Sequence, residues 1–341
     1  LPALPGALRS AAGQDLDQGI AMLRHSHRFG ADSGIGHLAQ AVNAGDADAV
    51  EQIWKQGGHG DIALLNLEGE PLAAALDRLD RHALHGGFAR YLQVLTATRP
   101  PASAGEAELD AWAARVLEAY GSFQVLCATR KGPFGVEECN RRIAQRLFRA
   151  GHIGRPQGWY EGRPVLVTRN DYSLGLMNGD IGVTLSLPPL STQSAESVQS
   201  LQSADSAGPA GSMHPEEPAD LADPAHPAAS AAGSRSVTPK RNWPSPSASG
   251  DSPSSGLEAG RLRVAFPAGD GSGGIRWVLP SRLQSVETVF AMTVHKSQGS
   301  EFLHACLVLP EQDSPVITRE LLYTGITRAR CWFSLVQPSS I

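Results

Sequence analysis

From Thr293 to Phe302 the chain reads TVHKSQGSEF, directly after the apolar run VFAM. An apolar strand ends and polar residues gather at its C-terminal edge, the place where open parallel α/β sheets bind ligands. Thr293, His295, Lys296 and Ser297 offer donors suited to phosphate oxygens, helped by the helix start expected behind them. Gly299 permits a close approach or an unusual φ. Glu301 is an acceptor pair suited to a ribose hydroxyl. The same ten residues also fit a capped helix start with an incidental histidine, since short motifs recur by chance.

Working outward, strands and helices alternate. VETVFAM reads as strand and TVHKSQG as turning into a helix; HACLVLP is strand, TRELLYTGITRA helix, CWFSLV strand. Upstream, FQVLCAT is a short buried strand that runs through the turn RKGPFG into the helix VEECNRRIAQRLFRA, one unit of a parallel sheet. Earlier still the pattern is helical. Ser33 caps GIGHLAQAVNAG, with Gly45 as its stop, and Asp46 caps ADAVEQIWKQ, ended by Gly57-Gly58. EPLAAALDRLDRHALHGGFARYLQVLTA and AELDAWAARVLEAY follow. Between the two α/β parts, RPVLVTRN and DIGVTLSL alternate and are β-branched, joined through Asn170-Asp171 and Asn178-Gly179; RLRVAF and IRWVLP flank GDGSGG. The expected fold is α/β: a parallel sheet with helices on both faces and an inserted small antiparallel β module. The expected boundaries are 1–161 for the helical segment and first part of the α/β domain, 162–284 for the module, and 285–341 for the remainder. Residues 187–260 are crowded with Ser, Ala and Pro and are expected to be disordered, because such composition buries too little apolar area to offset ordering entropy. KRNW, Lys240–Trp243, is read as solvated linker rather than a DNA contact.

The chain has 341 residues, with a net charge of only −5, so any nucleic-acid contact must come from local patches. Cys127, Cys139, Cys306 and Cys331 lack zinc spacing and read as reduced, buried thiols of a cytoplasmic protein. No apolar run is long enough to span a bilayer. LPALPGALRS reads as mid-chain sequence, so a fragment is expected.

Two further stretches carry candidates. In LLYTGITRAR, Leu321–Arg330, a basic end follows an apolar helix face; Arg328 suits an arginine finger or, equally by spacing, a cation at a helix C-terminus. In LRHSHRFGADSGIG, Leu23–Gly36, Arg28 precedes a helix and reads as a phosphate ligand or a surface charge.

Taken in order, LRHSHRF, TVHKSQGSEF and LLYTGITRAR resemble motifs IV, V and VI of superfamily 1 DNA helicases. HRFGADSGIGHLAQAVNAGD, ATRKGPFGVEECN and GRPVLVTRNDYSLGLMNGDIGVTL bring the resemblance close to the RecD family, the alpha subunits of exodeoxyribonuclease V. It covers nearly the whole chain except 187–260. The resemblance implies a RecA-like second motor domain with an SH3-like insertion. Arg28 and Arg328 would contact the ATP γ-phosphate, with Gly299 and Glu301 near the nucleotide. Thr293, His295, Lys296 and Ser297 would lie near the DNA strand or the ATP, and Thr129 and Arg130 at the strand's backbone. It further implies ATP with Mg²⁺ held elsewhere, RecB and RecC as partners, DNA ends as substrate, 5′-to-3′ movement and a role in double-strand-break repair. GxxxxGK[ST] and the acidic Mg²⁺ motif are not in this sequence, so the chain alone is expected to turn over no ATP.

Overall fold

The computed structural model describes residues 29–30, 32–67, 75, 78, 87–187, 262–269, 273–312 and 314–338. Helix α1 (Gly34–Ala44) starts at Ser33, whose hydroxyl accepts from Gly36 N, and stops at Gly45, left-handed at φ 72°. Asp46 caps α2 (Ala47–Gln56) through Ala49 N at 2.9 Å. Next come β1 (Ile62–Asn66), α3 (Ala89–Ala97), α4 (Glu106–Gly121), β2 (Phe123–Cys127) and α5 (Val136–Arg149). Strands β3 (Pro164–Val167), β4 (Ile181–Ser186), β5 (Leu262–Pro267), β6 (Ile275–Val278) and β7 (Val286–Thr288) precede β8 (Ala291–Thr293), β9 (Phe302–Val308), α6 (Arg319–Ile326) and β10 (Ala329–Gln337).

Among the described residues two five-stranded sheets result, ordered β1-β10-β9-β2-β8 and β6-β5-β4-β3-β7. The first is parallel throughout, the second antiparallel throughout. In the parallel sheet, the connection from β2 leads to β8 on one side and that from β9 to β10 on the other. Right-handed crossovers therefore put α5 and α6 on opposite faces. Helix α1 packs against α6. Both faces being covered, β2 is buried at every position.

The free side of β8 is closed by a side chain. Asn140 on α5 donates from Nδ2 to Ala291 O and accepts Ala291 N at Oδ1, both at 2.9 Å, as a neighbouring strand would.

Strand β3 pairs with both β4 and β7, so the module's first and last strands are neighbours. Its residues alternate between two cores. Leu166 joins the large core with Trp112, Val116 and Phe290, whereas Val165 and Val167 join a small one with Val264 and Phe266. Polar ties reinforce the docking: Tyr91 OH donates to Gly162 O at 2.6 Å, and Trp277 Nε1 to Asp110 at 2.7 Å.

The structure departs from the sequence expectations in four places. VETVFAM is two strands, with Val286–Thr288 pairing with β3 and Ala291–Thr293 with β2. After TV, no helix forms. A single 3₁₀ turn, His295–Ser297, is followed by Gly299 at φ 84°, and β9 begins at Phe302. That glycine lets the chain change direction before a second helical turn can close. Strand β1 has no counterpart in the patterning drawn above; it forms because β10 offers an open parallel edge to it. Finally, Cys127, Cys139 and Cys306 are buried free thiols, but Cys331 is exposed. Arg28, and the whole of 187–260 apart from Leu187, fall outside the described residues.

Candidate functional site

The motif TVHKSQGSEF joins opposite edges of the parallel sheet. Thr293 is level with Cys127, and Cys127 with Val308, the last residue of β9. Phe302, the first residue of β9, is level with Ala329, the first of β10. The eight residues between Thr293 and Phe302 thus travel back along the length of β9, about 20 Å at about 3.3 Å per residue. The front of the motif sits at the C-terminal edge of the sheet and its end at the N-terminal edge.

At the C-terminal edge two loops meet. Val294 N donates to Cys127 O at 3.1 Å. Thr293 Oγ1 accepts from Lys296 N at 3.2 Å, which closes the turn and leaves His295 and Lys296 outward. Ser297 is fully buried and its hydroxyl donates to Val294 O at 2.7 Å, so it braces the turn from behind; the expected DNA contact is not available to it. The loop after β2 carries Thr129 and Arg130, whose carbonyls accept from Val136 N and Glu137 N in the first turn of α5, each at 3.1 Å. This closeness requires Gly135, where a Cβ would stand 2.5 Å from Lys131 O.

Glu287, on β7 of the antiparallel module, joins these loops. Oε2 accepts from Arg130 Nη2 at 2.8 Å, and Oε1 from Lys296 Nζ. Arg130 Nε also donates to Glu137 at 3.2 Å. Burial pushes the Glu287 carboxyl up, but the hydrogen bonds from Lys296 and Arg130 outweigh it and hold the group below its ordinary value. The same pairing with Glu287 raises Arg130. No motif identified Glu287: its partner Arg130 is 157 positions away in the chain. Thr129, Arg130, Thr293, His295 and Lys296 are therefore brought together.

At the N-terminal edge, Phe302 N donates to Arg328 O at 2.9 Å, which sets Glu301 beside the end of α6. The Arg328 guanidinium lies on backbone carbonyls, Nε to Thr324 O at 3.1 Å and Nη1 to Ser300 O at 3.0 Å. Glu301 is exposed, 3.8 Å from Arg330 Nε. Helix α1 starts at this edge too. Asp61, just before β1, accepts from Ser33 Oγ, Gly34 N and Ile35 N, while its own carbonyl accepts Phe333 N. That carboxylate already satisfies the positive end of α1, so the helix terminus itself is no phosphate site. Glu301 and Arg328 thus belong to one edge, Thr129, Arg130, Thr293, His295 and Lys296 to the other, and Gly299 to the segment between them.

Comparison with known proteins gives the following likenesses. Residues 288–336 match the UvrD-like helicase C-terminal domain, from the end of β7 into β10. The chain is 32% identical over 313 residues to the RecBCD enzyme subunit RecD of Mycobacterium tuberculosis (strain ATCC 25618 / H37Rv), covering 91% of this chain and 37% of that protein. It is 28% identical over 315 residues to the RecBCD enzyme subunit RecD of Haemophilus influenzae, covering 90% and 36%. The ATP-dependent RecD2 DNA helicase of Deinococcus radiodurans is 26% identical over 229 residues, covering 66% and 21%. The chain spans little more than a third of the length of the RecD subunits it matches. With motifs in family order and a helicase C-terminal domain match beside them, the chain is a relative of the RecD helicase subunits and corresponds to their C-terminal helicase portion.

Proposed function

We propose that this chain is the second motor domain of an ATP-dependent DNA helicase that works with RecB and RecC partners on DNA ends in double-strand-break repair. The observation that carries the reading is the crossing of TVHKSQGSEF from one sheet edge to the other. One short segment links the residues proposed to hold a DNA backbone to those proposed to face nucleotide.

The N-terminal edge has the chemistry of one wall of a phosphate pocket: a guanidinium and a carboxylate for hydroxyls, with a glycine that leaves room in the segment leading to them. A first motor domain supplies the other wall, with the phosphate cradle, the Mg²⁺ ligands and the carboxylate that activates water. Arg328, and Arg28 by the resemblance, neutralise charge on the γ-phosphate as it is transferred. Their attraction to it draws the two domains together, and its loss on hydrolysis lets them part. Thr129, Arg130, Thr293, His295 and Lys296 hold the strand's backbone meanwhile, so closing and opening become movement along it. The direction, 5′ to 3′, follows the family.

The test is a crossed pair of substitutions in the complete protein. Arg328→Ala should abolish ATP turnover and spare single-strand binding. Lys296→Met should weaken single-strand binding and spare turnover measured without DNA. Each substitution impairing the other's function would overturn the assignment of the two edges. The similarity to a RecD2 helicase favours a second reading, a helicase working without RecB and RecC; affinity purification from cells that yields only monomer would select it.

A further inference from the structure

Glu287 lies outside every motif, yet three elements converge on it. Its carboxylate is three-quarters shielded, with 25% of the side chain exposed, and it reaches from the antiparallel module to cations on two loops of the parallel domain. Each oxygen serves one cation: Oε2 takes Arg130 and Oε1 takes Lys296.

The donors left over show what this arrangement is good for. A guanidinium has five N–H donors and an ammonium three. Arg130 commits one donor to Glu137 and one to Glu287; Lys296 commits one to Glu287. Three donors on Arg130 and two on Lys296 remain, on side chains 53% and 33% exposed. The four charged groups Arg130, Lys296, Glu287 and Glu137 sum to zero. Attraction of an anion by these four groups therefore depends on the direction of those remaining donors rather than on their summed charge.

We propose that Glu287 is a positioning residue of the single-strand grip: it holds Arg130 and Lys296 side by side from behind so that their remaining donors converge on the backbone phosphates of one strand. This rests on the reading that the C-terminal edge holds DNA. It also makes the antiparallel module part of the grip, since β7 delivers the carboxylate.

Charge and geometry predict opposite signs, which makes the idea testable. Binding of fluorescein-labelled oligothymidylate to the purified chain is followed by anisotropy at two salt concentrations, with circular dichroism to check folding. Glu287→Gln removes a negative charge, so simple electrostatics predicts tighter binding. Positioning predicts binding weaker by about tenfold. Glu287→Asp keeps the charge but withdraws the carboxylate by one carbon–carbon bond, and should weaken binding by about threefold. Neither change should alter binding in an Arg130→Met/Lys296→Met background, a result that general loss of structure would not produce. Equal or tighter binding by a folded Glu287→Gln, or wild-type binding by Glu287→Asp, overturns the positioning role. If Arg130→Met/Lys296→Met itself binds like the parent chain, the C-terminal edge is not the DNA site, and the reading beneath the proposal falls instead.

Discussion

The two edges of the parallel sheet hold their cations in different ways. At the C-terminal edge Arg130 and Lys296 are paired with carboxylates, Glu287 and Glu137. At the N-terminal edge Arg328 donates to the main-chain carbonyls of Ser300 and Thr324. Both sets are charge-assisted, since one ionised partner already makes a hydrogen bond roughly twice as strong as a neutral one. Arg130 and Lys296 are held by the Glu287 carboxylate. The C-terminal edge is thus a cluster built on ion pairs, and the N-terminal edge carries a guanidinium laid against the main chain.

That contrast predicts effects of graded size. Arg328→Ala in the complete protein should lower kcat for ATP by about 10³-fold or more, as measured by phosphate release, with single-strand affinity unchanged. The purified chain alone should release no phosphate above an Arg328→Ala control. Gly135→Ala would put a Cβ 2.5 Å from the Lys131 carbonyl and distort the Arg130 loop. It should cost about 2–3 kcal/mol in denaturant melts and weaken strand binding, while the Arg328 edge is untouched. Lys296→Met should flatten the plot of log affinity against log salt by about one unit. Ser297→Ala should lower stability by about 1 kcal/mol and leave oligothymidylate binding as it was, because the hydroxyl faces inward.

The Glu287 pairing also gives stability a pH dependence of definite sign. Its carboxyl is held below the ordinary value, although burial alone would raise it. The stabilisation is therefore present above the group's unfolded pKa and is lost as pH falls through the folded one. Glu287→Gln should make the acid-side slope shallower in melts taken below neutrality, the slope from other carboxyls held low, such as Glu138, remaining.

Local signals were legible where neighbours in sequence act on each other. Ser33 and Asp46 cap the expected helices and Gly45 stops α1 as a left-handed residue, because each works within one helical turn. The α/β class and the antiparallel insertion were legible from periodicity. Division of VETVFAM was not, since both halves are apolar and only distant partners, β3 and β2, decide which sheet each joins. For the same reason β1 went unread: its half-buried residues become strand through β10, far along the chain. At the site, Thr129, Arg130, His295 and Lys296 came from motif order, and their meeting at one edge came from the register of β2 and β8. The inward direction of the Ser297 hydroxyl was not legible, because it depends on whether the turn tightens into 3₁₀ or runs on as a helix.

In the antiparallel module, Ser186 closes β4 opposite Leu262, which opens β5, and Ser186 N is itself tied to Glu161. The two strands register with each other irrespective of what joins them, and closing a loop costs only about 0.6 kcal/mol more for each doubling of its length. The junction is thus a natural graft point. A fluorescent reporter spliced between β4 and β5 would ride on the antiparallel module without entering either core.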